Sequence, residues 1–192
     1  MEKSKVRDFF DRYAVDWDAD MVRDDAKIGF ILDCAGVHEG VDVLDVACGT
    51  GVLFPDYFDR RVANLTAIDL SPEMTRIAKT KFPEADVICG DAEFFDFGEK
   101  YDAIVIYNAF PHFPSPEGII SALAGSLKPG GRLTVAHGMS RKALLAHHAG
   151  AASEVSLELP EAKALAELFS AYLKPVVIIS DDEKYIVSGE LK

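Results

Sequence analysis

No stretch of this chain is apolar for long enough to span a bilayer, and its start does not have the layout of a secretory leader. Met1-Glu2-Lys3-Ser4-Lys5 runs into a charged, aromatic segment instead. A cytoplasmic protein free of membranes is therefore expected. Cysteine is scarce: Cys34, Cys48 and Cys89 stand far apart without a CxxC pair, which suggests neither a disulfide framework nor a cysteine zinc site, and buried reduced thiols are expected. Basic residues are outnumbered, 20 Lys and Arg against 32 Asp and Glu, for a net charge of -12. Nucleic-acid affinity comes largely from clustered cations that neutralise phosphates, so DNA, RNA and anionic membrane surfaces are poor partners. Internal repeats, low-complexity tracts and linkers are missing too. With 192 residues, 49% of them apolar, one domain around one core is expected.

What the chain does have is an alternation of short β-branched runs with helical stretches, the pattern of a parallel sheet covered by helices. Strands are predicted at Val41–Val46, Leu65–Asp69, Asp86–Cys89, Ala103–Tyr107, Arg132–His137, Val176–Ser180 and Tyr185–Gly189. Ser71-Pro72-Glu73 and Ser115-Pro116-Glu117 each read as N-cap, first-turn proline and first-turn acid, the second opening a helix over Ile119–Leu127 that Lys128-Pro129-Gly130-Gly131 should stop. Before Gly36, Val6, Phe9, Phe10 and Tyr13, then Ile28, Ile31, Leu32 and Ala35, fall at helical spacing and predict two helices ahead of the sheet. The last two strands are joined only by Asp181-Asp182-Glu183-Lys184, too short for a helical crossover, so they should form an antiparallel hairpin. Gly150–Leu159 reads as a loop.

The chemistry is concentrated at three strand ends. In Val43-Leu44-Asp45-Val46-Ala47-Cys48-Gly49-Thr50-Gly51, an apolar strand enters a turn with two glycines one residue apart, which lets a ligand lie against bare backbone at the carboxyl edge of the sheet. A dinucleotide fingerprint would need a glycine at position 54, which is Phe, and no Lys-Ser/Thr follows to make a P-loop. Asp69 ends the next strand, where a carboxylate can accept from both hydroxyls of a ribose, and Gly90-Asp91-Ala92-Glu93 ends the third, where an acid beside a backbone N–H suits an adenine. Taken alone, each of these residues has a plain structural reading, a turn cap, a tight connection or a solvated acid. Their joint occurrence in order does not.

VLDVACGTG, AIDLSPEM, GDAEF, YDAIVIYNAFPHF and LKPGG, in this order, make the segment from about Val41 to Leu133 resemble the class I S-adenosylmethionine (SAM) dependent methyltransferase family in its broad small-molecule branch. The resemblance implies a doubly wound α/β fold: a mostly parallel seven-stranded sheet with an antiparallel C-terminal hairpin, an N-terminal helical lid over residues 1–35 and a SAM-binding domain over 36–192. It implies SAM as cofactor and a small-molecule substrate. Carried over by position, Asp45, Ala47, Gly49 and Gly51 would serve the methionine half of SAM and Asp69 the ribose. Leu70 and Met74 would flank the adenine, and Asp91 and Ala92 would hydrogen-bond it. Asn108 would sit beside the transferable methyl, and Tyr13 and Trp17 would be the lid's aromatic contacts, unless they are simply core.

The implied chemistry is in-line displacement at a sulfonium methyl, for which alignment and exclusion of water suffice when the nucleophile is a thiolate or neutral amine; a hydroxyl or carbon acid also needs a base. His112 follows the fourth strand and His137 ends the fifth, with His147 and His148 on the next helix. These histidines are open to three readings: structural packing, a general base at His112, or a metal site built from His112, His137 and His147 or His148. No HxH or HxxxH pair pre-forms such a site. Arg141 reads as a solvated first-turn residue or as a clamp for a substrate carboxylate. Met139–Pro160 matches no motif of the family. A SAM-binding module without turnover, or an enzyme using SAM for another reaction, would share most of these features.

Overall fold

In the computed structural model, which describes residues 1–19, 21–148, 150 and 152–192, the element order is α1 (Lys3–Tyr13), a 3-10 turn (Ala14–Asp16), α2 (Asp25–Cys34), β1 (Asp42–Val46), α3 (Phe54–Asp59), β2 (Asn64–Asp69), α4 (Pro72–Lys81) and β3 (Asp86–Cys89). Then come β4 (Tyr101–Tyr107), a 3-10 turn (Phe110–His112), α5 (Pro116–Ala124), β5 (Leu127–His137), α6 (Arg141–His148), a 3-10 turn (Ser153–Val155), α7 (Ala162–Phe169), β6 (Leu173–Ser180) and β7 (Tyr185–Leu191). The strands form one sheet in the order β3-β2-β1-β4-β5-β7-β6. The pairs among β1 to β5 are parallel, and β7 runs antiparallel between β5 and β6, as the four-residue connection demands.

Side chains alternate across the sheet and feed two layers. Leu44, Ile104 and Leu133 pack with Ile119, Leu123, Leu165 and Phe169 on one face. Val43, Ala67 and Val105 pack with Ile28, Leu32, Phe54, Tyr57 and Ala78 on the other. Both faces are covered, so the inner strands read as continuous apolar runs. Burying each such aliphatic side chain is worth about 1.5–3 kcal/mol. The polar exceptions are matched: Thr134 of β5 and Ser188 of β7, both fully buried, share a hydrogen bond of 2.8 Å.

The helix starts follow the capping chemistry of the sequence. Ser71 accepts from the Met74 N–H and Ser115 from the Gly118 N–H, each ahead of a proline. The end of α5 differs from expectation. It stops at Ala124, and Leu127, expected to end the helix, opens β5 together with the expected breaker Lys128-Pro129-Gly130-Gly131, Leu127 pairing with Tyr101 ahead of a register shift. Leu127 is buried in the core, which favours pairing over another helical turn, and Gly130 takes the left-handed backbone (φ 77°) that the irregularity needs. A second difference concerns the thiols: Cys48 is buried and Cys34 half-buried, but Cys89 is exposed, because it ends a strand at the edge of the sheet. Among the described residues no helix is long and apolar enough to cross a membrane.

Candidate functional site

The strand order reverses between β1 and β4, which lie side by side while their connections leave in opposite directions, and such a switch point opens a crevice at the carboxyl ends of the strands. A cleft of about 490 Å³ occupies that place. Its floor is Ala47, Cys48, Gly49, Ile68 and Asp69, one end is Leu70, Met74, Gly90, Asp91 and Ala92, and the other is Tyr107, Asn108, His112, Phe113 and Met139. Lys3, Val6, Phe10 and Trp17 close it from the N-terminal side.

The loop after β1 is held open by backbone shape. Ala47 (φ 57°), Gly49 (φ 55°) and Gly51 (φ 87°) all adopt left-handed conformations. The two glycines do so for different reasons. A Cβ on Gly49 would project toward the cleft, with the Trp17 indole nitrogen its nearest neighbour at 3.9 Å. One on Gly51 would strike the Phe54 ring at 2.8 Å and Phe82 at 3.0 Å. Gly49 lines the cleft; Gly51 points into the packing beneath and does not.

Asp69 braces this loop. Its carboxylate accepts from the Gly49 N–H and the Ser71 N–H, both at 2.8 Å. Burial pushes its pKa up to about 6 against these stabilising hydrogen bonds, with the Asp11 charge adding to the rise. Asp45 lies one layer deeper and does not line the cleft. It is 2% exposed, and its Oδ2 and the neighbouring Tyr57 hydroxyl interact without reaching good hydrogen-bond geometry, the hydroxyl lowering the acid's pKa somewhat. Burial, then the charge of Asp69, raise the Asp45 pKa well above the usual range. At the other acid, Asp91, one oxygen accepts from the Glu93 N–H at 3.1 Å and the other pairs with Lys3 at 2.7 Å.

Several residues invisible as candidates in the sequence meet here. Lys3 also pairs with Glu93, and Asp11 accepts from the Ser71 hydroxyl and from the Glu73 N–H at 3.1 Å, so α1 is tied across the cleft at both ends. Phe10 stacks edge-on against Trp17 (5.5 Å between centroids) and against His112 (4.9 Å). Tyr13, by contrast, is 42% exposed, rests on Phe9 and stays outside the cleft. Arg23 lines the cleft, donates to the Val52 carbonyl and pairs with Asp56 at 2.7 Å. α2 packs on the sheet through Ile28 and Leu32 and reaches the cleft at Ile28, and the segment before it adds Met21, Val22 and Arg23 to the cover made by α1 and Trp17. The helical spacing of Phe10 was a usable signal; Lys3, Asp11 and Arg23 had none.

The histidines separate. His112 and His147 line the cleft, whereas His137 is fully buried beside the Tyr185 ring, and the His148 side chain lies outside the described residues. Among the described residues no group of three or more His, Cys, Asp or Glu is placed to hold a metal. His112 Nδ1 lies 2.8 Å from the Val155 carbonyl and 3.3 Å from the Ser156 hydroxyl. A carbonyl only accepts, so Nδ1 carries a proton. Asn108, in a left-handed conformation (φ 55°), lines the cleft beside it and accepts from the Gly138 N–H at 2.9 Å.

Comparison with known proteins agrees with this geometry. A family model described as a methyltransferase domain matches residues 43–131. The chain is 33% identical over 138 residues to a malonyl-[acyl-carrier protein] O-methyltransferase of Acetivibrio thermocellus, covering 69% of this chain and 49% of that protein. It is 34% identical over 107 residues to a demethylmenaquinone methyltransferase of Renibacterium salmoninarum, covering 55% and 45%. The chain thus spans about half the length of the curated relatives it matches. In fold it is similar to N-methyltransferase NodS from Bradyrhizobium japonicum, solved with S-adenosyl-L-homocysteine, with a TM-score of 0.75 at 15% identity over 97% of this chain and 98% of that one.

Proposed function

The chain belongs to the class I SAM-dependent methyltransferase family, and on that premise we propose that it transfers a methyl group from SAM to a small molecule that carries an acidic hydroxyl, with His112 as the general base. The residues fit the cofactor. Gly49 leaves its backbone bare toward the cleft. Asp69 has used one acceptor site on each oxygen and keeps others for ribose hydroxyls, and Asp91 with Ala92 stands at the adenine end. Arg23 lines the cleft with its guanidinium held by the Val52 carbonyl, Asp25 and Asp56, which fixes the wall of the cleft there. SAM supplies a methyl group on a cationic sulfur. Alignment falls to Asn108 and the floor of the cleft, and exclusion of water to a lid made of α1 and the turn through Trp17.

The observation that carries the base assignment is the hydrogen bond between His112 Nδ1 and the Val155 carbonyl. It fixes the tautomer in which Nε2 accepts a proton, on a side chain that lines the same cleft as Asp69 and Asp91. An imidazole can take the proton of an acidic hydroxyl such as a phenol as the C–O bond forms, while an aliphatic alcohol is far too weak an acid. Phe10, Trp17, Phe113 and Met139 give this end an apolar, largely aromatic lining. The relative named for demethylmenaquinone also supports a small acceptor, whereas the one named for malonyl-[acyl-carrier protein] has its acceptor on a carrier protein.

The test is a panel of phenols, thiols and amines incubated with the protein and SAM, scored for methylated product. Phenol methylation that falls by about 100-fold or more in His112→Gln, with SAM binding retained, is the expected result. Transfer to a thiol or amine that His112→Gln leaves intact would remove both the base and the acceptor class.

A further inference from the structure

Arg141 matches no motif, and the cleft excludes it as a substrate clamp: it does not line the cleft, and its guanidinium is committed elsewhere. Nε donates to the Leu159 carbonyl at 2.8 Å, Nη2 pairs with Glu158 at 2.6 Å and Nη1 with Glu161 at 2.8 Å. All three partners lie on the segment between the Ser153–Val155 turn and α7. That segment is anchored from within by Val155 and Leu159, both buried. It is also zipped to the turn that carries His112: the Leu157 N–H donates to the Pro111 carbonyl at 2.7 Å, and the Val155 carbonyl accepts from His112 Nδ1. The path from Arg141 to the imidazole is therefore a strap of seven residues, 155–161, tied toward one end by a guanidinium and at the other by the hydrogen bond that sets the histidine's tautomer.

We propose that Arg141 is a positioning residue, which holds the strap of residues 155–161 in register so that the Val155 carbonyl keeps the neutral His112 imidazole as the Nδ1–H tautomer. The proposal rests on the reading of His112 as the base, but its structural half stands apart from that reading. An unconstrained imidazole favours the proton on Nε2, so the native tautomer requires the carbonyl to stay within reach of Nδ1. The planar guanidinium meets a carbonyl and two carboxylates at once, a geometry that Lys cannot reproduce. Glu158 and Glu161 are both 70% exposed at the side chain, so neither pair is strong alone; it is the joint hold on one short segment that fixes its register. The stretch that lacks any family motif is thus the one that orients the candidate base.

Long-range ¹H–¹⁵N correlation of the imidazoles in ¹⁵N-labelled protein tests this without substrate or cofactor, His112 being assigned from the signal missing in His112→Gln. Wild type should show a pyrrole-type Nδ1 and a pyridine-type Nε2. Arg141→Ala should move the signal toward the Nε2–H form, while Ser156→Ala, which leaves the closer carbonyl acceptor in place, should not. Glu158→Gln combined with Glu161→Gln loosens the same anchor from exposed positions and serves if Arg141→Ala does not fold; it should shift the tautomer in the same direction. With an accepted substrate, Arg141→Ala should lower kcat by about 10- to 100-fold, the usual range for loss of a partner that orients a reactive imidazole, with SAM affinity within about twofold of wild type. A folded Arg141→Ala, or double Gln variant, that keeps the wild-type His112 signature overturns the proposal. An unchanged rate in His112→Gln would instead overturn the base reading, while the tautomer result would stand.

Discussion

The backbone N–H of Gly49 donates to the Asp69 carboxylate at 2.8 Å, tying the loop after β1 to the end of β2. The acid expected to face a ribose is therefore also the brace of the glycine loop. Asp69→Ala removes both roles, so calorimetric SAM affinity should fall by more than about 2 kcal/mol, since hydrogen bonds to a charged group are each worth roughly 1.5–3 kcal/mol. A 2′-deoxy analogue of SAM should lose less on the variant than on wild type. Equal losses on both proteins would detach Asp69 from the ribose and leave it as the loop brace alone.

The same residue predicts a pH dependence. Burial raises the Asp69 pKa from 3.8 to about 6, so the folded protein holds this proton more tightly than the unfolded chain does. The stability contributed is complete below about pH 4 and is lost as pH rises through about 6, a difference of about 3 kcal/mol. Ribose hydroxyls donating to the ionised carboxylate, with the cationic sulfonium nearby, oppose that loss. SAM affinity should accordingly increase from pH 5 to 7 and level off above, and Asp69→Asn should flatten the curve. Affinity that is constant across this range in wild type would contradict the assignment.

Asp45 makes a related prediction about stability. Its carboxyl is 2% exposed, has one oxygen in no hydrogen bond of good geometry and is pushed far upward by burial and by Asp69. A raised acid stabilises the fold when protonated and costs stability as pH rises. Asp45→Asn removes the ionisable proton at nearly the same volume, so thermal stability measured at pH 8 should be equal to or above wild type, with less decline between pH 5 and 8. A lower melting temperature at every pH would mean that the ionised carboxylate has a partner the fold requires.

Strand periodicity, the Ser-Pro-Glu helix starts and the four-residue final connection were enough to read the sheet, its direction changes and the strand ends that line the cleft, because these are local properties of a few residues. Spacing could not show that Gly51 faces Phe54 and Phe82 while Gly49 faces the cleft, since both occupy the same motif and differ only in the direction a Cβ would take. Nor could it show that Tyr13 stays outside while Phe10 lies between Trp17 and His112, or that Val155 reaches back 43 residues to hold an imidazole. Those relationships are set by long-range packing and leave no periodic trace. The histidines show the same limit: the sequence left open a metal site built from His112, His137 and His147 or His148, but His137 is buried against Tyr185, away from the cleft that His112 lines.

The two glycines should respond differently to substitution. From the sequence, Gly51 was expected to serve the methionine half of SAM along with Gly49. For Gly51→Val the structure shifts the damage to the fold, because the new side chain must adopt φ 87° and displace Phe54 and Phe82. Overpacking of this kind costs about 1–3 kcal/mol, with about 1–2 kcal/mol more for the backbone. Gly51→Val should melt well below wild type. Gly49→Ala meets no atom closer than 3.9 Å, so it should cost only the backbone strain in the melting curve while weakening SAM by calorimetry. A Gly51→Val protein as stable as wild type would refute this separation.

The N-terminal helix is held over the cleft by ion pairs that salt and mutation can weaken. Lys3 pairs with Asp91 at 2.7 Å and also with Glu93, both at the end of the cleft proposed for the adenine, with the lysine side chain 28% exposed. Partly exposed pairs contribute about 0.2–1 kcal/mol each, so losing both should accelerate opening by roughly two- to thirtyfold and no more. Trp17 gives the readout: it is the single tryptophan of the chain, lines the cleft and touches Phe10. Stopped-flow tryptophan fluorescence should show faster release of S-adenosylhomocysteine from Lys3→Gln than from wild type. Raising the salt concentration should speed release from wild type while changing the variant little, because screening acts on the same two pairs. If Lys3→Gln releases the ligand at the wild-type rate at low salt, these pairs are ornaments of the closed surface, and the lid is held by Phe10, Trp17 and the Asp11 contacts to Ser71 and Glu73 instead.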